Sequence, residues 1–165
     1  MCITRDIPDN GIYRGGFLRF HMGKHVLVPV DDSERSMEAF DYAVQEYGSD
    51  TITALTVIDP HHYYATTGLD GASYNTIEQI KSSFEARGKD LLESVESKAT
   101  EQGVDIETEL AFGPVADTIV SQANGLNVDH IVMGSHGRSG ASRILLGSVA
   151  ETVTRRAPVS VTIVR

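Results

Sequence analysis

The residues best placed by type and spacing to do chemistry fall in one stretch. From Gly134 to Glu151 the chain reads GSHGRSGASRILLGSVAE, directly after the apolar run Asp129-His130-Ile131-Val132-Met133. The glycines are spaced as Gly134-x-x-Gly137, then nine residues, then Gly147-Ser148. A strand that empties into such a loop, followed by a helix, suits a phosphate. Glycine at these points is expected to let the backbone turn through positive φ and approach an anion with no Cβ in the way. The free N–H groups and macrodipole of a helix starting near Ser148 favour negative charge, and the Ser148 hydroxyl is suited to a phosphate oxygen or a metal-bound water.

Other readings of the same residues stand beside this one. Ser148-Val149-Ala150-Glu151 is also a capping box, in which Ser148 bonds the third helical amide and Glu151 reaches back. A cap alone does not account for glycine at 134 and 137. The stretch is not a Walker loop, because Gly147 stands where that motif has its lysine, and it is not G-x-G-x-x-G. Arg138 and Arg143 read either as phosphate contacts or as solvated loop residues. His136 reads as an acid or base, or as a histidine bonded to a backbone carbonyl. Phosphoryl transfer wants a cation on the moving phosphate and an aligned base. No such pair is evident, so binding is expected in preference to catalysis.

The elements that must position this loop follow from apolar periodicity. Strands are predicted over 25–30 (HVLVPV), 51–58 (TITALTVI), 104–111 (VDIETELA), 128–133 and 158–164 (PVSVTIV). The third alternates apolar and acidic residues, as a half-exposed edge strand does. Between the first two, Met37, Phe40, Val44 and Tyr47 recur at helical spacing, with Asp32 or Ser33 as N-cap and Gly48 as the stop. Ile77, Ile80, Phe84, Leu91, Val95 and Ala99 mark a long amphipathic helix, interrupted at Gly88 and ended by Gly103. Gly113-Pro114 opens a helix with Val115, Ile119 and Ala123 inward. Five strands alternating with four helices define an α/β fold with a doubly wound parallel sheet, whose ligands bind beyond the carboxyl ends of the strands.

Two segments lie outside this pattern. Residues 1–22 contain Pro8, Asn10-Gly11 and Gly15-Gly16 and carry three arginines against two aspartates, a net +1. They read as a loose extension preceding one domain at 23–165. The connection 59–75 carries His61-His62-Tyr63-Tyr64, Gly68 and Gly71. Adjacent histidines there lack the fixed geometry of a metal site, and the tyrosines read as a lid over a base or as a partner surface.

With 165 residues, 41% hydrophobic and 22% charged, the chain is long enough for one domain with a true core. A net charge of −9 disfavours nucleic acid as a partner. The single cysteine, Cys2, excludes an internal disulfide. No run is apolar over the length a membrane helix needs, and no signal-peptide core appears, so a cytoplasmic protein is expected.

VLVPVDDSERS at 26–36, TALTVID at 53–59, the G-x-x-G-(nine)-G-S spacing and the closing APVSVTIV together resemble the universal stress protein family. The resemblance runs in order from Lys24 to Val164. It implies a single five-stranded parallel sandwich of the adenine nucleotide alpha hydrolase-like type, strand order 3-2-1-4-5, and homodimers joined through the last strand, here 158–164. For the motif-bearing branch it implies ATP as ligand, with Mg or Mn held mainly by the phosphates and no direct protein ligand; the Ser148 hydroxyl, from the residues themselves, is the one candidate. Residue by residue, Asp31 resembles the acid that contacts the ribose, although it also reads as part of a helix cap. Val57 resembles the residue that meets adenine through its backbone. Gly134, Gly137, Gly147 and Ser148 resemble the phosphate cradle, with Val149 following and Arg138 beside it. Pro29 and Val30 are expected to line the same cavity. The implied function is a nucleotide-dependent regulatory or signalling dimer in stress response. The alternatives are a slow ATPase using His136 or Asp31, and a structural dimer without nucleotide.

Overall fold

Short β-branched runs bounded by turn residues become the strands. The computed structural model describes residues 23–59, 74–137 and 146–165, with side chains from 78 onward in the second segment. The strands are β1 (His25–Pro29), β2 (Thr51–Ile58), β3 (Glu107–Phe112), β4 (His130–Gly134) and β5 (Ser160–Val164). The helices among the described residues are α1 (Glu34–Tyr47), α2 (Tyr74–Glu101), α3 (Val115–Gly125) and α4 (Ser148–Arg156). The sheet order is β3-β2-β1-β4-β5 and all four pairings are parallel. Fold class and strand order therefore stand as expected.

All strands but β2 differ in their limits from the sequence reading, the third most of all. The third strand begins at Glu107, not at 104, because Val104 is still tied to the preceding helix through its N–H to the carbonyl of Ala99. The long helix spans 28 residues.

Parallel strands covered on both faces bury continuous apolar runs, and here the period of two divides them between two cores. Val26, Val28, Ile52 and Ala54 face Phe40 and Val44 of α1 and Val95 of α2. Leu27, Leu55 and Ile131 face Ile119 and Ala123 of α3 and Val153 of α4. Fully buried side chains such as Phe40, Leu27 and Ile131 contribute about 1.5–3 kcal/mol each against exposure. Gly88 lets α2 lie close against the sheet. A Cβ there would stand 2.8 Å from Leu110 Cδ1, so the glycine in mid-helix buys proximity at a cost of about 1 kcal/mol in propensity.

These two layers fix where a crevice opens. The chain winds from β1 outward to β3, then returns to β4 on the other side of β1. α1 and α2 cover one face while α3 and α4 cover the other, so the winding changes direction between β1 and β4.

Candidate functional site

Asp31 follows β1 by two residues and is held in place by the start of α1. Its N–H donates to Ser36 Oγ at 2.8 Å. Its Oδ1 accepts from the N–H of Ser33 at 3.0 Å and from the Ser33 hydroxyl. The same Ser33 is the N-cap of α1, accepting from Ser36 N–H through its side chain. Asp31 is thus not the cap itself. Its second oxygen, Oδ2, points across the crevice at Gly137, where an added Cβ would stand only 2.7 Å away.

The three glycines of the motif prove to be about room, not about φ. None of Gly134, Gly137 and Gly147 has a positive φ, which among the described glycines belongs to Gly103 and Gly113. This corrects the expected positive-φ turn. Gly134 is buried at the end of β4, and its missing Cβ lets the backbone of Arg35 and Ser36 approach, since a Cβ would meet the Arg35 carbonyl carbon and oxygen at 2.7 Å. Gly134 therefore seats the start of α1 against β4. Gly147, at φ −63, donates its N–H to the carbonyl of Ser135 at 2.9 Å, tying the two ends of the loop together. Ser135 in turn donates its N–H to the Val164 carbonyl at 2.8 Å, which anchors the loop base on β5.

A second correction concerns the capping box. The N-cap of α4 is Gly147, with no side-chain cap bond, and Ser148 is the first helical residue. The amide of Glu151 bonds the Gly147 carbonyl in the ordinary helical way. One residue of shift moves the Ser148 hydroxyl out of the capping geometry and leaves it exposed at the helix start. The first-turn N–H groups of α4 have no side-chain acceptor there, and such groups with the macrodipole attract an anion. His136 bonds the Ser135 hydroxyl through Nδ1 at 3.2 Å, not a backbone carbonyl.

Asp31 and Gly137 thus face each other across the crevice at the β1/β4 switch, with Gly147 tied to Ser135 at the start of α4, while Gly134 packs against α1. Val57 stands on the crevice's other wall. β2 continues three residues past its last pairing with β1, Pro29 with Leu55. The Leu55 carbonyl accepts from Val30 toward β1 and the Ile58 carbonyl accepts from Gly113 toward β3. Alternation places the backbone groups of Val57 on the β1 side, where that strand has ended. Val30 and Val149 are framing residues. Val30 is 4% exposed in the α1 core and its carbonyl accepts from Thr56 Oγ1, while the Val149 side chain packs into the opposite core. Pro29 closes β1 half-buried. Arg138, Arg143, His61, His62, Tyr63 and Tyr64 lie outside the described residues, as do residues 1–22.

Ser33 and Ser36 as a clamp on Asp31 were not expected. The signal was present in Asp31-Asp32-Ser33-Glu34-Arg35-Ser36, where serines two and five residues after an aspartate bond locally to its side chain and amide. Among the described residues no three of His, Cys, Asp and Glu come together as a metal site. Among them too, no helix is long and apolar enough to cross a membrane.

Fold and crevice define a class: a doubly wound α/β protein with a clamped carboxylate facing a glycine, and a helix start without a side-chain cap, at the switch point. The sequence profile of the Universal stress protein family matches residues 22–165. Universal stress protein MJ0531 of Methanocaldococcus jannaschii is 35% identical over 160 residues, covering 94% of this chain and 88% of its own. Among solved structures, the universal stress protein UspA from Lactobacillus plantarum superposes with a TM-score of 0.73 at 28% identity, over 86% of this chain and 97% of that one. A universal stress protein in complex with cAMP gives 0.63 at 26% identity, over 87% and 97%. The chain belongs to the universal stress protein family.

Proposed function

We propose that the chain binds ATP in the crevice between β1 and β4 and acts as a homodimeric, nucleotide-dependent regulatory protein of the cytoplasmic stress response. The observation that carries this reading is the gap kept open at Gly137, into which Asp31 Oδ2 is aimed from a two-serine clamp beside the uncapped start of α4. A carboxylate with a free oxygen suits a vicinal diol, and a helix start without an acceptor suits phosphate. The ribose is assigned to Asp31, the phosphates to Gly137, Gly147 and Ser148 with Arg138, and adenine to the backbone of Val57. Pro29, Val30, Gly134 and Val149 frame these contacts. A magnesium or manganese ion carried by the phosphates would supply charge neutralisation, and the exposed Ser148 hydroxyl is the group this chain would offer it. The cAMP complex of a relative supports an adenine nucleotide as the ligand class.

Titration calorimetry of the full chain with ATP, AMP and cAMP, with and without magnesium, tests the reading. ATP is expected to bind with magnesium, and Asp31→Ala to weaken it by roughly 10- to 100-fold, the worth of a charge-assisted hydrogen bond. Heat in none of the three titrations, or Asp31→Ala with unchanged affinity, defeats the assignment.

A further inference from the structure

The edge of the sheet beyond β2 has features that the nucleotide reading leaves unused. β3 is an edge strand, and among the described residues no strand pairs with its outer side. Because Gly113 donates to the Ile58 carbonyl at 3.0 Å, the backbone groups of Gly113, Ala111 and Glu109 face β2. By alternation those of Thr108, Leu110 and Phe112 face outward. The side chains divide the same way. Ala111 belongs to the α3 core and Leu110 to the α2 core, so Glu107 and Glu109 stand on the α3 face and Phe112 on the α2 face. Phe112 is 47% exposed, the one large hydrophobic side chain so exposed among the described residues, with Lys81 Nζ 6.0 Å from its ring. Along the α3 face runs a groove of about 470 Å³ that includes Glu109, Asp117, Thr118 and Gln122.

We propose that this edge takes an extended peptide segment in which basic and apolar residues alternate, added as a sixth strand beside β3. Strand addition uses the outward N–H and C=O groups for affinity and the alternate side-chain pockets for specificity. A peptide paired here sends one set of side chains over the α3 face beside Glu107, Glu109 and Asp117, where lysine or arginine is complementary. The other set crosses Leu110 and Phe112 on the α2 face, where an apolar residue covers the exposed ring. Of the acids on the groove side, Asp117 pairs with Arg156 and Glu107 accepts from Thr53 Oγ1, which leaves Glu109 as the central carboxylate for the incoming cation. A second copy of this chain is a poor occupant. Two β3 edges brought together set Glu107 and Glu109 of each against the other's, the like-charge device by which natural edges resist self-pairing.

Amide hydrogen exchange on the full-length chain, read by NMR, tests this with synthetic ten-residue Lys-Val and Glu-Val alternating peptides as probes. The Lys-Val peptide is expected to slow exchange at Thr108, Leu110 and Phe112 and to leave Glu107, Glu109 and Ala111 unchanged, because the latter already pair with β2. Glu109→Lys is expected to weaken the peptide roughly tenfold through like-charge repulsion, and Phe112→Ser to weaken it without changing the preference for Lys-Val over Glu-Val. Diffuse electrostatic adhesion to an acidic protein gives no alternation among the six amides and overturns the proposal. So does equal slowing by the Glu-Val peptide. Protection of the three outward amides before any peptide is added also overturns it, since the edge is then covered by this chain or by a second copy.

Discussion

Gly134 and Gly137 sit three residues apart in one motif, yet an added methyl group meets something different at each. At Gly134 it meets the carbonyl of Arg35 at 2.7 Å, backbone against backbone with neither free to move. At Gly137 it meets the tip of the Asp31 side chain, which turns about its own bonds. Overpacking a rigid contact costs about 1–3 kcal/mol. Gly134→Ala is therefore expected to lower the unfolding free energy read from urea denaturation by an amount in that range, with a lower midpoint, and Gly137→Ala to leave the midpoint nearly unchanged while weakening ATP by displacing Asp31. Equal midpoints for the two variants count against the seating role of Gly134. ATP affinity in Gly137→Ala equal to that of the parent counts against the aim of Asp31. A bulkier side chain at Gly137 likewise meets Asp31 first.

Among the elements, β5 is the counterpart of β3 at the opposite edge, and its chemistry differs. The Val164 carbonyl accepts from Ser135 toward β4, so the backbone of Val164 and Thr162 faces β4 and that of Val161 and Ile163 faces the open edge. β5 is uncharged until Arg165, so the acids that guard β3 have no equivalent here. This supports β5 as the dimer edge of the proposed function. Proline removes an N–H donor, and a strand tolerates that loss only where the N–H faces away from the ladder. Ile163→Pro is expected to give a folded monomer by light scattering, whereas Thr162→Pro breaks the β4–β5 ladder and lowers thermal stability. A dimer that persists in Ile163→Pro removes β5 from the interface.

At the scale of the whole molecule, the legible part was what apolar period and turn residues dictate locally. Strand runs such as 51–58 and the edge pattern of Glu107 and Glu109 led to the sheet, and Asp31 and the glycine spacing led to the crevice. What was not legible depends on how elements approach one another. The N-cap of α4 fell one residue early because Gly147 is drawn to the Ser135 carbonyl, and Gly134 serves a helix 100 residues earlier in the chain. A further long-range cluster went unread at the pole opposite the crevice. There His130 opens β4, bonds Thr162 Oγ1 of β5 at 2.8 Å through Nε2, and lies 5.7 Å ring to ring from Tyr47 of α1. Burial first, and the Lys24 ammonium second, hold its pKa below the ordinary histidine value. The sign follows from proton binding. The unfolded chain takes up a proton at this histidine near its ordinary pKa of about 6.5, while the folded chain resists until a lower pH. Stability at His130 is thus full above that value and is lost as pH falls from about 6.5 toward the folded pKa. Urea denaturation of the full chain at a series of pH values between about 7.5 and 5 is expected to show stability falling on acidification. In His130→Gln, which keeps a hydrogen-bonding group near Thr162 but does not titrate, the fall should be shallower. Only the difference in slope between the two proteins reports on His130, and equal slopes contradict a depressed pKa there.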